Sequence, residues 1–141
     1  MEHFRKLERM YAAAPINQRD SPELTVEDGR AQLSMQVKPH HHHAAGAMHG
    51  SIYFKMLDDA CFFAANSRVT ETFVLTAHFE VNLLRPVSCG EIRACAWVTK
   101  EGGRTVRAQG EVRDDSGEVI AKGGGVFVVS EIGLGPACHY I

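Results

Sequence analysis

The sequence predicts an α+β domain: one buried helix covered by antiparallel strands, with a short helix ahead of it. Two patterns carry this. Between Ser51 and Asn66, the residues Ile52, Tyr53, Phe54, Met56, Leu57, Ala60, Cys61, Phe63, Ala64 and Ala65 cover well over half of a helical wheel, and a helix apolar around most of its surface belongs inside. After it, four segments alternate apolar and polar residues with the period of two that marks half-buried strands. Their apolar faces need a helix to cover. A chain of 141 residues holds one core, so residues 1–141 are read as a single domain.

Residues 1–20 form a short helix and linker. Phe4, Leu7, Met10 and Tyr11 recur at spacings of three and four between Glu2 and Ala14, and Pro15 ends the run. Ser21-Pro22-Glu23 is a break, and the stretch through Val26 to Asp28-Gly29 reads as a short strand turning into another. Ala31, Leu33, Met35 and Val37 then alternate with polar neighbours, up to Pro39 and the run His40-His41-His42-His43. Past the buried helix, Thr72–Leu84 places Phe73, Leu75, Ala77, Phe79, Val81 and Leu83 on one face. Ile92–Lys100 follows, and Glu101-Gly102-Gly103-Arg104 is a hairpin signal into Arg104–Asp114. Asp114-Asp115-Ser116-Gly117 turns into a last strand, Glu118 to Ser130, in which Gly123-Gly124-Gly125 predicts a bulge or a close backbone contact. Residues 131–141 have no period and read as a loose tail.

A formal net charge of −2 offers no footprint for nucleic acid or for an anionic membrane. No run approaches the ~18 apolar residues of a membrane span. The start of the chain is charged where a secretory signal needs an apolar core, and the four cysteines are scattered. Together these point to the cytoplasm, with free thiols. Adjacent histidines in an extended loop point to opposite sides, so His40 to His43 do not close a tetrahedral shell, and no metal or cofactor is expected. His78 and Glu80 share a strand face without a third ligand.

The polar residues of the buried helix, Ser51, Lys55, Asp58, Asp59 and Asn66, crowd one arc. A carboxylate set in an otherwise apolar helix has its pKa raised, which suits a general base near neutral pH. Periodicity does not separate Asp58 from Asp59, since each lies within helical reach of Lys55.

Gly46-Ala47-Met48-His49-Gly50-Ser51 opens that helix, and Asp58 follows His49 by nine residues. Downstream come Thr76-Ala77-His78-Phe79-Glu80-Val81-Asn82-Leu83-Leu84-Arg85-Pro86, then Gly103-Arg104-Thr105 and a Gly-x-x-x-Ala from Gly117 to Ala121. Over His43 to Ser130 this order resembles the hotdog-fold acyl-CoA thioesterases, most of all the phenylacetate-degradation branch. The resemblance implies a curved antiparallel sheet wrapped around the long helix. It selects Asp58 as general base or nucleophile, Thr76 as a partner of the attacking water or of that carboxylate, and Asp59 as structural. It also implies that the Gly50 and Ser51 amides polarise the thioester carbonyl while His49 fixes the loop or assists. Two positions depart from the family pattern: Ser51 replaces a glycine, and His43 stands where some relatives carry a carbonyl-binding Asn.

For substrate, the resemblance implies a thioester of a small aromatic or short to medium-chain acyl group, on coenzyme A or acyl carrier protein. Arg85 and Arg104 are the candidates for its phosphates. It implies a homodimer or homotetramer with active sites between subunits. Two other functions fit the same fold. One is a non-catalytic acyl-CoA-binding protein, which the departures at His43 and Ser51 keep open. The other is an acyl-chain dehydratase or hydratase, against which the His49-to-Asp58 spacing argues.

Overall fold

The structure, a computed structural model, describes residues 1–141. It has two α-helices, α1 (Glu2–Ala13) and α2 (Gly50–Asn66). Six strands form one sheet: β1 (Glu23–Glu27), β2 (Arg30–Val37), β3 (Thr72–Leu83), β4 (Gly90–Gly102), β5 (Thr105–Arg113) and β6 (Val119–Gly133). Every neighbouring pair is antiparallel, in the order β1-β2-β4-β5-β6-β3. α2 packs against all six strands, the hotdog arrangement. Its Leu57, Ala60, Cys61, Ala64 and Ala65 are fully buried, as are Leu33, Ile92, Val112, Ile120 and Phe127 from the sheet. No helix is long and apolar enough to cross a membrane.

Chain order does not give the position of β3. The strand that follows α2 crosses to the far edge and pairs with β6, not with its sequence neighbour β4. Its face pattern also departs from strict alternation. Thr76 pairs with Phe127 and His78 with Val126, so Ala77 is left over as a β-bulge. One extra residue exchanges the two faces of a strand. Before the bulge, Val74 and Thr76 face α2; after it, Phe79 and Val81 do. The triple glycine is the expected close contact. A Cβ at Gly123 would lie 2.5 Å from the Glu80 carbonyl oxygen and 3.2 Å from the Phe79 ring, and Gly125 meets the His78 carbonyl and the same ring.

One expectation is corrected. The tail is anchored, not loose: β6 runs on to Gly133, the Leu134 N–H donates to the Glu71 carbonyl (3.0 Å), and Arg9 Nε donates to the Ile141 carbonyl (2.6 Å). Tyr140 Oη and His3 Nδ1 form a hydrogen bond at 2.7 Å. Anchors made by single residues leave no period to read. Asn66, at the end of the polar arc of α2, lies inside the protein, fully buried. Its Nδ2 donates to the Val69 and Thr72 carbonyls (3.0 and 3.1 Å), and its Oδ1 accepts from the Val74 N–H (3.0 Å), tying the end of α2 to the start of β3.

Asn66→Ala removes the side-chain partner of the buried Val74 N–H and of the part-buried Val69 and Thr72 carbonyls. It should cost about 3 kcal/mol, seen as a lower urea midpoint with an unchanged slope.

Candidate active site

The loop into α2 is pinned by backbone bonds. His49 N–H donates to the His41 carbonyl and Met48 N–H to the Val87 carbonyl, both at 2.8 Å. The turn is made by Gly46, whose φ of +84° favours glycine. Gly50 has no such φ, so a tight turn does not explain it. A Cβ there would meet Leu83 Cδ1 at 3.3 Å. At the first helical position its N–H has no intrahelical acceptor and donates to nothing else in the chain.

His49 caps the helix. Its Nδ1 accepts from the Ser51 N–H (3.0 Å) and lies 2.8 Å from Ser51 Oγ. The ring proton of the neutral imidazole is therefore on Nε2. This corrects the expected pair of amides, because the Ser51 N–H is occupied by the cap. Gly50 N–H and His49 Nε2–H are the donors left at the helix mouth, reinforced by the positive end of the helix dipole.

Asp58 lies two turns further on, half-buried. Thr76 Oγ1 donates to its Oδ1 at 2.9 Å. Desolvation lifts the carboxyl to about 6, against the Thr76 hydroxyl, with Asp59 raising it further and Lys55 lowering it. Asp59 is engaged differently. It accepts from Tyr11 Oη (2.6 Å) and pairs with Lys55, whose Nζ also donates to Asn17 Oδ1 (2.9 Å). The Asp59 carboxylate thus ties α1 to α2, and Asp58 is left as the acid with neither a phenol nor an ammonium partner. Tyr11 and Asn17 were not singled out from the sequence; the Lys55–Asp59 pair at i, i+4 was the only local signal.

A groove of about 560 Å³ lies beside Asp58. Asp58, Lys55 and Ser51 of α2 lie along it, Phe73 and Thr76 of β3 form one side, and Met10, Tyr11, Ala14 and Ile16 form the other.

Not every expected site residue converges. Gly50 and Asp58 are eight residues apart on one helix, about 12 Å along its axis. Arg85 borders the start of α2, where Tyr53 Oη donates to its carbonyl (2.9 Å), and its guanidinium meets Glu118 at 3.0 Å. Arg104 bonds to the Val129 carbonyl, whereas Arg85 N–H bonds to Ile120. Those partners are nine residues apart on β6, about 30 Å, so the two arginines of one chain do not meet the same phosphate. The His43 ring is exposed and its Nδ1 accepts from the Ala45 N–H (3.0 Å), leaving Nε2 as the free nitrogen.

The histidine run is not extended. Pro39–His41 is one turn of 3₁₀ helix, which sets the His40 and His41 rings 4.2 Å apart. Both approach Asp20, His40 Nε2 at 2.6 Å and His41 Nε2 at 3.0 Å, the second poorly aligned for a hydrogen bond. His41 Nδ1 accepts from the Lys38 N–H (2.9 Å). Its Nε2 therefore carries the proton and offers no lone pair, so this arrangement is a clamp between the linker and the loop before α2.

No curated protein sequence matches the chain. Among solved structures, it is similar to a conserved protein of Pseudomonas aeruginosa at 26% identity and a TM-score of 0.80, covering 86% of this chain and 98% of that one. It is similar to the PaaI protein of the phenylacetic acid degradation operon of E. coli at 19% identity and a TM-score of 0.85, covering 94% and 96%. A thioesterase of Haemophilus influenzae matches at 17% identity and a TM-score of 0.78, covering 86% and 87%. The model of the thioesterase superfamily matches residues 45–121. That span is more than half of the chain and contains His49, Gly50, Asp58 and Thr76, and the chain belongs to the thioesterase superfamily.

Proposed function

We propose that the protein hydrolyses acyl thioesters of coenzyme A or acyl carrier protein, with small aromatic or short to medium-chain acyl groups. One observation carries this reading: a half-buried carboxylate, held by Thr76 and lifted to about 6, opens onto an apolar groove. A carboxyl near 6 is ionised at pH 7 and still basic enough to take a proton from water. The hydroxide adds to the thioester carbon, the oxyanion is met by preorganised N–H donors, and collapse expels the thiolate. Asp58 serves equally as nucleophile, through an anhydride that water then opens.

The donors belong to a second copy. A water on Asp58 must lie about 3 Å from the carbonyl carbon, and the Gly50 of the same chain is about 12 Å away. The second copy's Gly50 and His49 complete the site when two β3 edges pair. β3 supports such pairing: it is a twelve-residue edge strand with exposed Leu75 and Leu83, the kind of edge that pairing hides. Arg85, whose carbonyl borders the start of α2, is the residue we assign to the phosphates.

Asp58→Asn should lower thiol release from an acyl-CoA panel by at least about 100-fold, while circular dichroism stays unchanged. Equal rates in wild type and variant would overturn the mechanism. In wild type, kcat/KM should fall as pH drops through about 6, the value to which burial lifts Asp58.

Stability should run the other way. The folded-state pKa lies above that of the unfolded chain, so the charged form opposes folding, and stability should rise as pH falls from about 6 towards 4. Discounted for solvent exposure, Asp58→Asn should stabilise the protein by about 1–2 kcal/mol at pH 7, read from its urea midpoint.

Mixing Asp58→Asn with Gly50→Val, each inactive alone, should restore activity through mixed dimers. Silence after subunit exchange would exclude the shared site.

A further inference from the structure

The groove beside Asp58 has one wall that lies outside the matched family span. Residues 45–121 supply α2 and β3, whereas Met10, Tyr11, Ala14 and Ile16 come from α1 and the turn after it. This wall is fixed in place. Tyr11 Oη donates to Asp59 (2.6 Å), Lys55 Nζ donates to Asn17 (2.9 Å), and the Tyr11 ring packs edge-on to Phe63 at 5.2 Å. Asn17 Nδ2 also donates to the Tyr11 carbonyl at 2.8 Å, closing the turn on itself. A wall held by buried bonds sets a fixed width, and fixed width discriminates by size.

The charges in the groove narrow the ligand further. Its polar members include two carboxylates, Asp58 and Asp59, and a single cation, Lys55, which Asp59 already neutralises. An acyl tail ending in a carboxylate would find no free cation in the groove and would bring its charge against the apolar side chains of Met10, Ala14 and Ile16.

We infer that the α1 wall, through Ala14 and Ile16, determines which acyl groups are accepted, admitting uncharged apolar tails and rejecting tails that end in a carboxylate. This rests on the acyl-thioester reading, and Asp58 anchors the reacting end while the wall meets the distal end. The separation is physical: the chemistry stays with α2 and β3, and the selection is made by Ala14 and Ile16, whose side chains make none of the bonds that join the wall to α2.

Non-hydrolysable thioethers test this without relying on turnover. S-ethyl-, S-octyl- and S-(7-carboxyheptyl)-coenzyme A are titrated calorimetrically into the full chain. Wild type should bind the octyl compound at least about tenfold more tightly than its carboxylate counterpart. Ala14→Phe should shrink the octyl-to-ethyl affinity ratio by about tenfold or more. Ile16→Trp, at a position 72% exposed and therefore harmless to the core, should shift the ratio in the same direction. Ala12→Phe, on an exposed part of α1 that does not line the groove, should leave it unchanged. Tight octyl binding with a ratio that neither variant moves overturns the wall, and so does equal affinity for the carboxylate compound. Failure of all three compounds to bind removes the wall and the coenzyme A reading together. Binding without thiol release from the matching thioesters removes only the hydrolase reading.

Discussion

The geometry of this protein depends on a carboxylate kept partly out of water on the one helix that the sheet encloses. Removing Asp58 from solvent disfavours its charge, and the Thr76 hydroxyl gives back part of what is lost. Thr76 makes that bond from the stretch of β3 before the bulge, on the face it shares with the buried Val74. With strict alternation from Val74, Phe79 and Val81 would turn away from α2, so the bulge lets the Thr76 hydroxyl and the Phe79 ring lie on the same side of β3. The bulge changes the face of half a strand by adding a single residue, which is why such irregularities concentrate beside functional sites.

Around this pair, two neighbouring acids divide the work by the groups that face them. Asp59 has a phenol and an ammonium group and is occupied in joining α1 to α2. Asp58 has one hydroxyl and an open groove. Their chemistry is identical and their surroundings are not. The same logic applies at the start of α2. Ser51 and Gly50 both present helix-end amides, but His49 takes the first as a cap and leaves the second unbonded. A histidine that accepts at Nδ1 necessarily presents Nε2–H, so capping the helix and creating a donor at its mouth are one event. The clamp of His40 and His41 on Asp20 then steadies the approach, because the His41 carbonyl holds the His49 amide. In Asp20 itself desolvation works to raise the pKa, and the rings of His41 and His40 outweigh it and hold the carboxyl down at about 2.

Helix geometry sets the limit on what one chain does alone. A rise of about 1.5 Å per residue separates Gly50 from Asp58 by more than one carbonyl group can bridge. The proposed pairing of β3 edges answers the same fact from the side of the sheet, since a long unpaired edge with exposed leucines is poorly suited to solvent. The proposed acyl-thioester site shared between two copies would account for both observations.

The buried helix, the alternating strands, the helix ahead of them and the order His49, Gly50, Asp58, Thr76 were all legible in the residues. Each depends on local periodicity or on spacing along the chain. The sequence by itself determined the buried stripe of α2 and which acids sit on its polar arc, but not the core face of β3, where Leu75 and Leu83 are exposed. Only the tertiary structure decided which face of β3 Thr76 occupies, which acid is tied to α1, and where the tail docks. It also decided that Asn66 is a buried staple, that the histidine run is a turn, and that Arg85 and Arg104 stand at opposite ends of β6. Those outcomes turn on long-range pairing: the crossing of β3 to β6, one unpaired residue within it, and single anchoring bonds from distant segments. Periodicity reports how a segment divides between core and solvent, but not which distant residue it will meet there.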